Sequence, residues 1–140
     1  MKKVLLTIGL FSTVLFFAQK NENYFVIGYH SICCGTPSDQ PVMNFINQFQ
    51  KKNKVKNFEV YRQSGLGREG EFNLYIGSDK FSKAQKAQFV NGLKAAIDAQ
   101  NRMKKPNRDG NVSFDETEMI KKSELLNGRN ITLINKQLTK

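Results

Sequence analysis

The spacing of apolar residues constrains this chain most, because it changes from strand-like to helix-like and back again twice. Apolar residues recur every three or four positions over residues 40–53, and again from Ser82 to just before Pro106. Both stretches predict amphipathic helices. Ser82 and Gln85 have the pattern of a capping box at the start of the second helix.

The start of the first helix has its own signals. Ser38 or Asp39 can cap it, and Pro41 then falls in its first turn, where a missing amide hydrogen costs nothing.

Strand-like segments lie on either side of these helices. The segment NYFVIGYHSI, which begins at Asn23, is rich in aromatic and β-branched residues and predicts a central strand. Apolar residues alternate with polar ones from Phe58 and again from Phe72 to Ile76, on either side of the glycine-rich QSGLGREGE. This pattern predicts a hairpin. A further short strand is expected at Val112.

The predicted order is strand, helix, strand, strand, helix, strand. This is the split β-α-β-β-α-β plan of a ferredoxin-like α+β sandwich. The remaining tail predicts a C-terminal extension, with a helix over Glu116–Leu126 and a last strand over Ile131–Ile134.

The N-terminus has the pattern of a secretory signal peptide. Lys2 and Lys3 precede an apolar run from Val4 to Ala18, and polar residues follow at once. The run is shorter than the ~18 residues expected of a membrane-spanning helix. We therefore expect a signal peptide over residues 1–18 and one α+β domain over residues 19–140. The mature chain would be periplasmic or extracellular and would have no transmembrane segment.

The chain is strongly basic. It has 22 lysines and arginines against 12 acidic residues, which gives a net charge of +10. This excess favours an anionic surface or ligand as partner. We expect no nucleic-acid partner, because no nucleic-acid-binding motif accompanies the charge. The polar phase of the hairpin strands predicts that Tyr61 and Tyr75 face outward on an open face of the sheet.

The only two cysteines, Cys33 and Cys34, are adjacent, and the only histidine, His30, lies three residues before them. Neighbouring α-carbons are ~3.8 Å apart, whereas ordinary disulfides join α-carbons roughly 4.4–6.8 Å apart. A vicinal disulfide would therefore be strained and easily reduced. Alternatively, the strand continues through the pair and one thiol faces the core while the other faces solvent.

The position of the pair resembles that in heavy-metal-associated domains, which share this fold plan and carry two cysteines between strand 1 and helix 1. In that family two residues separate the cysteines, whereas here they are adjacent. The resemblance implies a thiophilic metal such as Cu or Zn, held by His30, Cys33 and Cys34, because imidazole and thiolate suit such ions.

The strand directions of this plan bring three loops to one end of the sheet: HSICCGTPSD, QSGLGREGE and KKPNRDGN. Five basic residues are candidates for contact with an anion there: Arg62, Arg68, Lys104, Lys105 and Arg108. Asp109, Gly110 and Glu116 match part of a calcium loop. Lys105 stands where that loop needs its first carboxylate, so we expect no calcium site.

Three functions remain open from the sequence. The first is an exported binding or interaction module, with a thiophilic metal or a redox-sensitive vicinal pair in the loop after strand 1. The second is a thiol-dependent enzyme or redox protein that uses Cys33 and Cys34 with His30 as base. The third is a surface-associated module whose cysteines have no function. The sequence does not decide whether the chain is an enzyme, and it favours binding over catalysis.

Overall fold

The computed structural model describes residues 20–56 and 58–135, which form an α+β structure with a five-stranded antiparallel sheet and three helices. The predicted signal peptide, residues 1–18, lies outside the described residues. The elements follow in this order: β1 Asn23–His30, α1 Gln40–Asn53, β2 Val60–Gln63, β3 Phe72–Gly77, α2 Lys83–Arg102, β4 Asn111–Lys121, α3 Lys122–Leu126 and β5 Ile131–Leu133.

The strands lie in the order β4-β1-β3-β2-β5, and every neighbouring pair is antiparallel. In the centre, Ile27 of β1 stands opposite Leu74 of β3 and Phe114 of β4. The central position of β1 explains its apolar sequence, because both faces of this strand are covered. We call the end of the sheet where β1 finishes at His30 the upper end, and the end where β1 starts at Asn23 the lower end.

Helices α1 and α2 pack on one face of the sheet, and aromatic rings fill the space between. Phe89 of α2 contacts five other phenylalanine rings at centroid distances of 4.8–6.2 Å: Phe25, Phe45, Phe49, Phe58 and Phe81. Burying each such side chain contributes roughly 1.5–3 kcal/mol. This cluster forms the main core of the described chain.

Both helix predictions agree with the structure in their main features. The first helix has the predicted bounds, and Ser82 and Gln85 form the predicted capping box at the start of α2. Asp39 occupies the N-cap position of α1 but its side chain makes no capping hydrogen bond. The hydroxyl of Ser38 instead accepts a hydrogen bond from the amide of Gln40 at 3.1 Å.

The predicted helix over Glu116–Leu126 is wrong in its first half. Strand β4 continues to Lys121, and only Lys122–Leu126 is helical. Ile120 pairs with Tyr24 of β1, while residues 115–118 form a bulge opposite Val26. Pairing with β1 therefore overrides the helical spacing of this segment.

The second face of the sheet is covered around Tyr24, Tyr61 and Tyr75 rather than open. Leu125 of α3 packs against Tyr24 and Tyr75, with Tyr61 at the edge of the same cluster. Tyr75 is buried and Tyr61 half-buried. Both tyrosines lie on the face opposite α1 and α2, as the alternation predicts, but the prediction that this face is open around them is wrong, because α3 folds over it.

Among the described residues, the longest helices are too short or too polar to cross a lipid bilayer.

Candidate functional site

The upper end carries the three loops that the sequence predicts there. Loop 31–39 follows β1, loop 64–71 joins β2 to β3, and loop 103–110 joins α2 to β4. Two of them meet: Sγ of Cys33 in loop 31–39 lies 3.6 Å from the carbonyl oxygen of Arg108 in loop 103–110. The Gln100 side chain, in the last turn of α2, also donates a hydrogen bond to the Ser38 carbonyl at 2.7 Å. Loop 64–71 turns away, and the amide of Ser64 donates to the carbonyl of Asn130 instead.

Cys33 and Cys34 lie in loop 31–39 and are bonded to each other as a vicinal disulfide, with their α-carbons 3.8 Å apart. β1 ends at His30, before the pair, and both cysteines are exposed. The interpretation in which the strand continues through them and buries one thiol is therefore wrong. Their exposure also means that neither cysteine serves as a small core residue.

The disulfide faces loop 103–110. Sγ of Cys33 lies 3.6 Å from the carbonyl oxygen of Arg108. A disulfide sulfur has no hydrogen to donate, so this is a van der Waals contact in the oxidised protein. In the reduced protein the Cys33 thiol could donate a weak hydrogen bond across the same distance.

A cleft of about 290 Å³ opens between these two loops, beside the disulfide. Its wall combines apolar and charged groups, and the residues that define its chemistry are Cys34, Pro37, Met103, Lys104, Arg108 and Asp109. The Met103 side chain is 79% exposed. An exposed thioether, a proline ring and a disulfide give the cleft an apolar, polarisable side.

The charged side of the cleft is partly organised by Asp109. Its carboxylate accepts a hydrogen bond from the amide of Lys105 at 2.8 Å and lies 3.7 Å from Nε of Arg108. Lys104 has no ion-pair partner among the described residues. The cleft therefore has one unpaired cation and one that shares its charge with a neighbouring carboxylate.

Helix α2 holds the base of the cleft in position. Asn101 exchanges two hydrogen bonds with the backbone of Val112, at 2.8 and 3.0 Å, and so fixes the start of β4. The Oε1 atom of Gln100 is buried and has no hydrogen-bond partner within the described chain. The sequence interpretation missed Gln100, Asn101 and Met103. Their position in the last turn of the predicted helix, just before a basic loop, was the available signal.

The five predicted anion contacts do not all lie together. Lys104 and Arg108 line the cleft, and Lys105 adjoins them in sequence. Arg62 lies at the upper end of β2 but forms an ion pair with Asp39 at 2.8 Å. Arg68 is exposed in loop 64–71 and does not line the cleft.

His30 is not brought together with the cysteines. Its Nε2 lies 2.8 Å from the hydroxyl of Ser113, and its ring lines a separate pocket on the sheet face opposite α1 and α2, with Asn73 and Asp115. Gly28 makes this possible, because a Cβ there would lie only 2.6 Å from the His30 ring. In residues 20–56 and 58–135, no three side chains of histidine, cysteine, aspartate or glutamate are grouped to hold a metal ion.

Comparison of the chain with protein-family models, with curated proteins and with solved structures gives no match.

Proposed function

We propose that this chain is an exported binding module that takes a small anionic ligand with an apolar part into the upper cleft, beside a redox-sensitive vicinal disulfide. One observation carries the proposal: Cys34 lines the same cleft as Lys104 and Arg108. A thiol-dependent enzyme would need a base near the pair, and His30 lies in another pocket. The geometry therefore favours binding over catalysis.

The lining of the cleft supports this class of ligand. Pro37, Met103 and the disulfide offer apolar contact, while Lys104 and Arg108 offer charge to a carboxylate, sulfonate or phosphate. A volume of about 290 Å³ is near the lower end of ligand pockets. Asp109 opposes an anion placed close to it, so the anionic group would sit on the Lys104 side.

The redox sensitivity follows from exposure and position. An external dithiol can reach the exposed pair and supply two electrons and two protons, which breaks the sulfur–sulfur bond and leaves two thiols. The dithiol itself becomes a disulfide. Because Cys34 lines the cleft and Cys33 contacts Arg108, reduction changes the shape of the site. It also supplies the only state in which the pair could bind Cu or Zn, since thiolates are the ligands.

Two wider parts of the proposal concern the fold plan and the route of export. The order β4-β1-β3-β2 of the first four strands supports a ferredoxin-like plan, to which β5 is added beside β2. The charged and apolar pattern of residues 1–18 supports export by a signal peptide.

The redox state is tested by mass. The exported protein, denatured and alkylated with iodoacetamide without reductant, should carry no adduct and should carry two after treatment with a phosphine. Two adducts before reduction would remove the disulfide from the proposal. Uptake of Cu(I) or Zn(II) by the reduced protein that persists in a Cys33→Ser, Cys34→Ser variant would exclude the pair as metal ligands.

Ligand binding is tested with the fluorescent anion 8-anilinonaphthalene-1-sulfonate, an aromatic sulfonate that matches the cleft. Replacing Lys104 with Gln should weaken binding at least tenfold, since a hydrogen bond to a charged group contributes roughly 1.5–3 kcal/mol. Arg102→Gln is the matched control, because Arg102 is exposed and outside the cleft. Equal loss in both variants, or no effect of reduction on affinity, would contradict the proposal.

A further inference from the structure

The lower end of the domain, opposite the cleft, carries a concentration of lysines. We call the following residues the lower lysine cluster: Lys51, Lys52, Lys54, Lys56, Lys80 and Lys83. Five of them are exposed and Lys80 is half-buried. The ring of Phe81 packs at 5.4 Å on both Phe49 and Phe58, so the loop with Lys80 lies against the end of α1.

The protein's own acids do not neutralise this cluster. Within residues 20–56 and 58–135, no member of it forms an ion pair. Asp79 accepts hydrogen bonds from the amides of Glu22 and Asn23 at 2.6 and 2.9 Å. Glu59 accepts a hydrogen bond from Lys122 at 3.1 Å. These two half-buried carboxylates are thus engaged with other groups.

The fold itself does not account for most of these lysines. Lys51 and Lys52 are in the last turn of α1, where cations suit the helix dipole. Lys83 starts α2, where the dipole disfavours a cation. Lys54 has a φ of 52°, a conformation that asparagine or glycine adopts more readily. Positive charge is therefore kept at this end in places where local structure opposes it.

The chain also enters the domain at this end. The first described residues lead into β1 at Asn23, on the same end of the domain as the lower lysine cluster. A membrane surface in contact with the lower lysine cluster lies at this same end. The upper cleft then lies at the far end of β1 from the membrane, about 25 Å away.

We propose that the lower lysine cluster docks the protein on a membrane surface of anionic phospholipid, with the cleft presented to the surroundings. Each lysine near such a surface contributes about fivefold to the binding constant. The interaction is electrostatic, so it requires anionic headgroups and is screened by salt.

The test compares two variants of equal net charge. The exported protein is sedimented with vesicles of phosphatidylcholine alone and with vesicles that also contain phosphatidylglycerol. Binding to the phosphatidylcholine vesicles is subtracted as background. The lower variant carries Lys51→Gln, Lys52→Gln and Lys56→Gln. The upper variant carries Arg68→Gln, Arg102→Gln and Arg129→Gln. All six side chains are exposed, and circular dichroism checks that both variants are folded.

We expect the lower variant to bind the anionic vesicles at least tenfold more weakly than the unmodified protein does. The upper variant should bind them less than twofold more weakly. Binding should disappear in about 1 M salt, where the Debye length is about 3 Å. Failure of the unmodified protein to bind anionic vesicles in excess of phosphatidylcholine would overturn the inference. Equal losses in the two variants would do the same, because only general charge would then matter.

Discussion

Oδ2 of Asp39 accepts a hydrogen bond from Nη1 of Arg62 at 2.8 Å, and this ion pair ties loop 31–39 to strand β2. The guanidinium carbon also lies 3.6 Å from the centre of the Phe72 ring, which stacks on Tyr29 at 4.3 Å. Burial raises the pKa of Tyr29, and the nearby Asp39 carboxylate raises it further. The loop with the disulfide is therefore anchored on a buried aromatic stack.

Replacing Arg62 with Met should lower the free energy of unfolding by about 1–2 kcal/mol, because the ion pair and the cation–π contact are both lost. Lys94→Met is the control, since Lys94 forms an exposed ion pair with Glu116 at 3.1 Å and should cost at most about 0.5 kcal/mol. Urea unfolding measures both. Equal costs would mean that the Arg62 anchor is no stronger than an ordinary surface pair.

Gly110 controls how closely loop 103–110 approaches β1. A Cβ at this position would collide with the backbone carbonyl oxygen of His30 and lie 3.0 Å from Pro37. Gly110→Ala should therefore destabilise the fold by about 2–3 kcal/mol, because backbone has to move. In Gly28→Ala the added carbon meets the ends of the His30 and Ser113 side chains, which can rotate away, and about 1 kcal/mol is expected. If urea unfolding shows that Gly28→Ala is the more destabilising variant, then the close approach of loop 103–110 to β1 does not depend on Gly110 in this way.

Local signals explain why the two main helices were predictable. The apolar spacing of α1 and the Ser82–Gln85 capping box act within one or two turns, so they are visible in the sequence alone. The start of α3 was not predictable in this way. Met119 and Ile120 fit a helix or a strand equally well, and only their pairing with Phe25 and Tyr24 decides for the strand.

The candidate site was predictable only in part. Strand directions alone place loops 31–39 and 103–110 at the same end. The sequence does not show that the Gln100 side chain reaches Ser38, because that contact joins residues far apart in the chain. The position of His30 had a readable signal. Phe25, Ile27 and Tyr29 are core residues at odd positions of β1, so the alternation of a strand sends His30 to the other face.

The lowered pKa of Asp79 predicts that the free energy of unfolding decreases at acidic pH. Burial raises the pKa of this carboxyl, but hydrogen bonds from the Glu22 and Asn23 amides and the Asn23 side chain outweigh it, and the net pKa is lowered. A lowered pKa in the folded state adds stability above the unfolded value of about 3.9, and this is lost as the pH falls through the folded pKa.

Asp79→Asn should therefore lower the free energy of unfolding by about 1–2 kcal/mol near neutral pH. The difference from the unmodified protein should shrink as the pH falls below about 4. The comparison is Asp98→Asn, because Asp98 is exposed on α2. Urea unfolding across this pH range measures the effect. A difference that stays constant with pH would show that the carboxylate charge is not what matters.

Substitutions at Leu125 and Leu126 test whether α3 packs on the second face of the sheet. The Leu125 side chain is 1% exposed and packs on Tyr24 and Tyr75, whereas its neighbour Leu126 is 53% exposed. Leu125→Ala should cost about 2–3 kcal/mol in free energy of unfolding, since a buried leucine is replaced by a cavity. Leu126→Ala should cost less than about 0.5 kcal/mol. Because the two residues are adjacent in the same short helix, their helix propensities cancel in the comparison. Similar costs would mean that α3 does not cover the second face of the sheet, and Tyr75 would then be accessible to solvent, as its sequence position first indicates.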